Sequence, residues 1–507
     1  MGYRRNHGYP LPKPRMAGPM VKVLFVTPEC YPLIKTGGLA DVTGALPLAL
    51  ARAGVDARVL MPAYPGVRDH LPGARRVARL PGLFGGDGSL VHGTTTAGLH
   101  VWLVDAPHLF SRKGGGPYLG PDGHDWPDND LRFAALSWAA AELSLGRAGV
   151  GWRPDVAHLH DWQAGLTAAY LHFSGDPRPA ILFTIHNLAY QGLFPATHLK
   201  ALGLPPAAME LDGLEYWGNL SFLKAGVQWS DHLSTVSPTY AREILTPAQG
   251  MGFDGLLRAR ADRLTGIVNG IDTEVWNPAT DSHLGEPYTN YSPRRLAAKA
   301  ICKAALQAEL GLDISASTPL FCVVSRLAAQ KGLDLLLAAL PHLTARGAQL
   351  AVLGSGDAEL ESGFRRAAQA HPGQVAFIAG YDEALSHRLQ AGADSIVVPS
   401  RFEPCGLTQL YGLRYGTLPL VARVGGLADT IIDANEAATR DGVATGFQFS
   451  PVDAGALATA LDRACDLYTD SRTWQRLQKR AMSRDVGWDV AASRYVALYE
   501  RLVHEHR

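Results

Sequence analysis

The chain has 507 residues, 47% of them hydrophobic and 19% charged, with 47 basic against 47 acidic side chains. That length allows two to four domains of about 100 to 250 residues, each with its own core. The balanced charge supplies no overall field to gather nucleic acid or an acidic membrane surface, and a neutral small molecule or neutral polymer fits at least as well.

Residues 1–20 carry Arg4, Arg5, Lys13 and Arg15 among Pro10, Pro12, Pro14 and Pro19. They lack the apolar stretch of a signal peptide and read as a disordered basic leader. An aliphatic strand over 21–26 then leads into Lys-Thr-Gly-Gly-Leu-Ala-Asp-Val at 35–42, and a helix follows with apolar positions at Leu39, Val42, Leu46 and Leu50. In that strand, turn and helix order, Gly37 and Gly38 let the backbone approach a ligand. The helix start and Lys35 favour an anion such as a diphosphate. Pro47 predicts that this helix starts late or bends. Residues 425–429 repeat residues 37–41 letter for letter, which suggests a second glycine turn of the same kind in the other half.

Further strands are predicted over 58–61, 100–104, 155–160, 181–185 and 233–236, with helical segments between them. After the Pro/Asn/Asp-rich stretch 269–281 the pattern restarts at 320–325, 349–353, 375–379, 395–398 and 418–422. Such alternation predicts an α/β protein with two doubly wound, Rossmann-like domains of parallel sheet. The boundary falls within 265–300, giving one domain over 21–270 and another over 271–489. A last helix over 490–507 has no strand after it and is expected to dock back on the first domain.

The polar residues that fall just past strand ends are Lys35, Asp161, His186, Arg326, Ser355, Asp357 and Glu403. Ligands bind at that edge of open α/β sheets, so two such edges facing each other would form one cleft. Arg326 and Lys331 lie at a strand end and near a helix start, where uncompensated positive charge is unfavourable, and a bound anion resolves that conflict. Glu403 begins Glu-Pro-Cys-Gly-Leu-Thr, a turn that opens a helix at Gly406. A carboxylate beside helix donors suits a sugar nucleotide, with Glu403 as a simple helix cap the alternative.

His158 and His160 alternate along a strand beside Asp161, but no third ligand accompanies them and no metal is expected there. Asp128-Asn129-Asp130 reads as a helix N-cap rather than a metal motif. The five cysteines, at 30, 302, 322, 405 and 465, include no Cys-x-x-Cys pair and are odd in number, so a disulfide framework is not expected and a reducing cytoplasm is the simplest compartment. Gly-x-Ser-x-Gly, Gly-Lys-Ser/Thr and His-Glu-x-x-His are absent, and no apolar run reaches membrane-spanning length.

The segments Lys-Thr-Gly-Gly-Leu-Ala-Asp-Val at 35, His-Asp-Trp at 160, His-Asn-Leu-Ala-Tyr-Gln-Gly at 186, Val-Asn-Gly-Ile-Asp at 268, Ser-Arg-Leu at 325, Gln-Lys-Gly-Leu-Asp at 330 and Pro-Ser-Arg-Phe-Glu-Pro-Cys-Gly-Leu at 399 occur in order. With them the chain resembles the bacterial glycogen synthases and plant starch synthases, which transfer glucose from ADP-glucose to the non-reducing end of an α-1,4-glucan.

The resemblance implies a GT-B architecture of two Rossmann-like domains across a deep cleft, transfer with retention, and no metal or other cofactor. It gives Glu403, Arg326, Lys331, His186 and Asp161 to the reacting sugar and the departing ADP. Lys35, Gly37, Gly38, Tyr381, Cys405, Gly406, Leu407 and Thr408 go to the donor, with Tyr381 against adenine, and Trp162 and Asn187 to the acceptor. Gln163 stands where a histidine is frequent, and the loop 114–124 is glycine-rich; both bear on acceptor preference. A sucrose- or trehalose-type retaining transferase, or a non-catalytic glucan-binding protein on the same fold, are the other readings.

Overall fold

The computed structural model describes residues 20–506, so the basic leader, apart from Met20, lies outside the described residues. The first half contains β1 (Lys22–Val26), β2 (Asp56–Pro62), β3 (Arg75–Leu83), β4 (Gly86–Thr94), β5 (His100–Asp105), β6 (Val156–His160), β7 (Ala180–Ile185), β8 (Leu193–Pro195), β9 (Glu215–Tyr216), β10 (Asn219–Ser221), β11 (His232–Thr235) and β12 (Leu264–Gly266). Nine of these form one sheet in the order β12-β11-β7-β6-β1-β2-β5-β4-β3, while β8-β10-β9 is a separate sheet. The large sheet is parallel except where β3, β4 and β5 run antiparallel. Val23, Leu24, Phe25 and Val26 of β1 are fully buried, as a central strand covered on both faces requires.

The second half contains β13 (Leu320–Val324), β14 (Gln349–Gly354), β15 (Val375–Ala379), β16 (Ser395–Val398), β17 (Leu418–Ala422) and β18 (Phe447–Phe449), all parallel, in the order β15-β14-β13-β16-β17-β18. The strands that the periodicity did not predict lie at sheet edges, next to an edge in the case of β4, or outside the main sheets. β3 contains Pro81 and Gly82, which read as breakers, and an edge strand with register shifts tolerates both. β12 and β18 are three residues long, too short to carry a period.

Each half has its own hydrophobic core. The helix Trp488–His506 belongs to the first, burying Trp488, Ala491, Ala492, Tyr495, Leu498, Tyr499 and Leu502. Tyr499 Oη lies 2.8 Å from His158 Nδ1 and Arg52 pairs with Asp489 at 2.9 Å. The chain crosses between domains twice, and the two crossings touch: Ile271 bridges Gly487, and a Cβ on Gly270 would sit 2.6 Å from the Gly487 backbone.

The helix Gly38–Arg52 starts at its glycine and runs through Pro47, contrary to the expectation of a late start. Pro47 cannot donate to the Thr43 carbonyl, and the buried Cys30 thiol does so instead, with Sγ 3.4 Å from that oxygen. All five cysteines are free and buried.

Candidate active site

In each sheet the central strand marks the point where successive connections leave on opposite sides. β1 lies between β6 and β2, and β13 between β14 and β16. The loops after β1, β6 and β7 face those after β13, β14 and β16, and a cleft of about 1260 Å³ opens between them. Lys35, Gly37, Gly38, Asp161, Trp162, His186, Asn187, Arg326, Lys331, Tyr381, Glu403, Cys405, Gly406, Leu407 and Thr408 all line it. Topology therefore gathers residues spread over some 370 positions of sequence into one site.

On the first domain's wall the turn after β1 is built around Glu29, which is buried. Its Oε2 accepts the N–H of Thr36 at 2.5 Å and of Gly37 at 3.3 Å, and its Oε1 accepts Tyr118 Oη–H at 2.6 Å. Burial pushes the Glu29 carboxyl up, against the hydrogen bonds that favour its ionised form. The Gly37 N–H is thus already committed, and the donors left to a ligand are those of the helix start from Gly38 onward. Lys35 is exposed and pairs with Asp41 at 2.9 Å, leaving its ammonium at the cleft edge. Tyr118 comes from the glycine-rich loop 114–124, so that loop is part of the site's support.

Asp161 stands at the junction of β6 and the helix Asp161–Phe173 with φ +56, a left-handed conformation rare outside glycine. The turn aims its Oδ1 at the backbone N–H of His186 (2.7 Å) and Asn187 (3.4 Å), fixing the loop after β7. Burial pushes its carboxyl up to about 7. His186 Nε2 lies 2.9 Å from His160 Nδ1, which leaves Nδ1 of His186 without a protein partner among the described residues. Enclosure pushes His186 down to about 3, so the ring is neutral. His158, bonded to Tyr499 and Thr184, is a core residue. Trp162 packs edge-on to Phe133 at 5.0 Å and against Phe194, with one side left to the cleft.

On the second domain's wall Lys331 Nζ lies 2.6 Å from Glu403 Oε2, which Ser400 Oγ also approaches at 2.9 Å. Glu403 is 6% exposed, its Oε2 lies in the ion pair with Lys331, and its other oxygen has no protein partner among the described residues. Arg326 is exposed and makes no side-chain hydrogen bond or ion pair among the described residues. The turn after Glu403 needs Gly406 at φ +72, where a Cβ would meet Gln409 Oε1 at 2.5 Å.

The helix opens at Thr408, two residues later than expected from Gly406. Cys405 is buried and its thiol is pushed up to about 12, which keeps it protonated. Tyr381, 66% exposed, donates its hydroxyl to Glu383. The walls stand close: a Cβ on Gly38 would lie 3.6 Å from Leu407 of the opposite domain.

Some expected residues lie elsewhere. The repeat at 425–429 is a domain contact: the Gly425 N–H donates to the Glu243 carboxylate at 2.9 and 3.1 Å, and Thr239 donates to Asp429 from N at 2.8 Å and Oγ1 at 2.7 Å. Its donors are used, so the second turn is not a phosphate cradle. Asp357 caps the helix Ala358–Ala370 instead of lining the cleft. Asp128 sits at the N-cap position of the helix Asn129–Ser144, but its carboxylate pairs with Arg112 rather than capping.

Asp281, His283 and His387, which sequence spacing did not group, bring their ligand atoms within 4.8 Å of one another. Asp281 Oδ2 already accepts Tyr415 Oη–H at 2.5 Å and lies 2.8 Å from His387 Nδ1, so the group is occupied by its own hydrogen bonds. Glu29 lines the cleft unannounced by any motif, whereas Ser400 and Asn269 line it from within the segments quoted at 399 and 268, where neither was singled out. The buried Oδ1 of Asn269 has no hydrogen-bond partner among the described residues.

Residues 22–259 match the family model of the starch synthase catalytic domain, and residues 311–483 that of glycosyl transferases group 1. The chain is 55% identical to a glycogen synthase of Roseobacter denitrificans over 95% of its length and 100% of that protein. It is 54% identical to one of Rhodopseudomonas palustris over 95% and 98%. Among solved structures it matches the catalytic domain of starch synthase IV from Arabidopsis thaliana, bound to ADP and acarbose, with TM-score 0.85, 32% identity and coverage of 96% and 100%. Sucrose-phosphate synthase from Thermosynechococcus elongatus, at 18% identity and TM-score 0.57 over 96% of this chain and 100% of that one, shares the fold alone. The chain belongs to the family of glycogen and starch synthases, glycosyltransferases built on the GT-B fold.

Proposed function

We propose that the protein transfers the glucosyl group of ADP-glucose to the non-reducing end of an α-1,4-glucan, with retention and without a metal ion. The observation that carries this reading is the cationic set that lines the cleft with one carboxylate: Lys331 on Glu403 at 2.6 Å, Arg326, unpaired among the described residues, on the same wall, and Lys35 on the facing wall. A nucleoside diphosphate leaving group needs such fixed positive partners, because its negative charge grows as the bond to the anomeric carbon breaks. The names of the relatives, and the ADP and acarbose bound by the starch synthase neighbour, support a nucleotide sugar as donor and a glucan as acceptor. Five free, buried cysteines fit the cytoplasm.

Glu403 holds its ion pair through Oε2, which leaves Oε1 for a sugar hydroxyl and makes covalent attack by this carboxylate the weaker route. Cys405, protonated and buried, is no nucleophile. Same-face displacement follows: the C1–O bond breaks with its electron pair going to ADP, the acceptor hydroxyl oxygen bonds to C1 from that side, and its proton passes to the diphosphate. Neutral His186 and Asn187 would orient the sugar through hydrogen bonds.

ADP release from ADP-glucose, measured with glycogen, without acceptor, and with UDP-glucose in place of the donor, tests the reading. Release that requires ADP-glucose and glycogen together is expected; release without acceptor at the same rate would overturn it. Activity is expected to survive EDTA, and a strict, reversible requirement for added magnesium or manganese would remove the metal-free mechanism.

A further inference from the structure

The most exposed aromatic ring of the cleft's surroundings is not in the cleft. Trp217 is 83% exposed at the tip of the β9–β10 hairpin. Trp217 (φ +51) and Gly218 (φ +80) are the two turn residues, both left-handed, as in the type I′ turn that favours Asn-Gly. A bulky aromatic residue is a poor occupant of that first position. The chain therefore bears backbone strain to expose a ring whose one aromatic neighbour among the described residues is Tyr216, met edge-on at 6.4 Å.

The hairpin is held rigidly and is continuous with the cleft wall. The buried Lys224 ammonium donates to the carbonyls of Leu211 (2.7 Å) and Glu215 (2.6 Å), and Tyr216 stacks on Phe253 at 4.7 Å. Tyr216 Oη and Gln191 Nε2 both donate to the Met251 carbonyl, at 3.1 and 2.9 Å. Gln191 and Leu193 line the cleft, and Leu193 pairs with Ser221 of the hairpin. Trp217 stands four residues back from Ser221 through the turn, at most about 13 Å away at roughly 3.3 Å per extended residue. Tyr190 and Leu193, 50% and 47% exposed, lie at the cleft end of this path.

We propose that Trp217 is a stacking platform for the acceptor glucan, gripping sugar rings of the chain outside the cleft while the chain's end lies within it. The inference rests on the glucan-acceptor reading above. Aromatic faces stack on the apolar C–H faces of pyranose rings, and a platform fixed by backbone bonds loses little conformational freedom on binding. A platform at that distance discriminates by length: a long acceptor reaches it and a disaccharide does not.

The test compares kcat/KM for maltoheptaose and for maltose in the wild type, Trp217→Asn and Trp217→Phe, with ADP-glucose saturating. The ratio of heptaose to maltose is expected to fall about tenfold in Trp217→Asn, through KM for the long acceptor, and to be largely rescued in Trp217→Phe. Thermal unfolding is expected at an equal or higher temperature for Trp217→Asn, since Asn suits the turn, which separates a lost platform from a damaged fold. A ratio within twofold of wild type would overturn the proposal, as would a shift of Trp217→Asn from oligomer to monomer with that ratio unchanged, which would assign the ring to a second copy of the chain. No transfer from ADP-glucose to either acceptor by the wild type would instead overturn the function proposed above.

Discussion

Arg326 and Lys331 carry the same charge but sit in different surroundings, and the difference sets what their removal does. Either change to Ala is expected to lower kcat by on the order of 10²- to 10³-fold, about 2.7–4 kcal/mol, with a smaller effect on donor affinity. The double variant is expected to be less than additive, because in the proposed reaction both charges serve one diphosphate. Lys331→Ala also strips Glu403 of its counterion in a largely buried place, and we expect it alone to lower stability, by about 1–3 kcal/mol. Steady-state kinetics with saturating donor and thermal unfolding check both points; a double variant near wild-type turnover would remove both residues from catalysis.

The pH response at this scale has a definite sign. Burial holds His158 and His160 well below the ordinary histidine value and His186 at about 3, so the folded state leaves all three neutral. Their stabilisation is present above the unfolded value of about 6.5 and is lost as pH falls toward the folded values. Asp161, raised to about 7, acts the other way: its contribution is full below about 3.9 and is lost as pH rises through 7. The unfolding temperature is therefore expected to fall on going from pH 7 to 5, and to fall more steeply in Asp161→Asn, where the opposing contribution is gone. An equal or shallower fall in that variant would contradict the assignment.

Among the elements, the helices Asp161–Phe173 and Phe222–Trp229 meet backbone to backbone, because a Cβ on Gly165 would collide with the Phe222 carbonyl. The first helix presents Asp161 and Trp162 to the cleft, and the second is continuous with the hairpin below Trp217. Gly165→Ala is expected to cost roughly 1–3 kcal/mol and to lower the unfolding temperature, with overpacking as the cause. An unchanged unfolding temperature would mean that the helices separate without penalty. At this scale the buried parallel strands were legible as aliphatic runs, since a strand covered on both faces must be apolar throughout. The β3–β4 hairpin and the β8-β10-β9 sheet were not, because β3 is mostly exposed and broken by Pro81 and Gly82, β4 carries Gly86, Gly88 and Gly93 without a strict alternation, and β8, β9 and β10 are too short to establish a period.

For the whole molecule, the residues lining the cleft come from both domains, while the two chain crossings lie together at Ile271 and Gly487. Paired crossings of this kind form a hinge about which the cleft can open, with the Glu243–Gly425 and Thr239–Asp429 contacts as further ties between the domains. Binding ADP with a maltooligosaccharide is expected to shift the population toward a closed form like the one in which Gly38 approaches Leu407. Small-angle scattering with and without these ligands checks it; identical profiles would remove closure from the cycle.

The sequence by itself determined the two-domain α/β architecture and the family. Alternating apolar runs and helical periods are local properties, and the site motifs are contiguous strings read without any contact. It also determined most of the cleft residues, because ligands collect at strand ends in such sheets and strand ends can be located from the runs. Only the tertiary structure decided between identical strings: residues 37–41 enter the cleft, whereas residues 425–429 spend their donors on Glu243 of the other domain. It likewise decided that Glu29 holds the first turn, that Lys331 neutralises Glu403, and that Trp217 stands exposed on a strained turn. Each of these depends on which groups meet across long separations in sequence, and pairing, burial and a left-handed backbone at a non-glycine residue leave no mark in a periodicity.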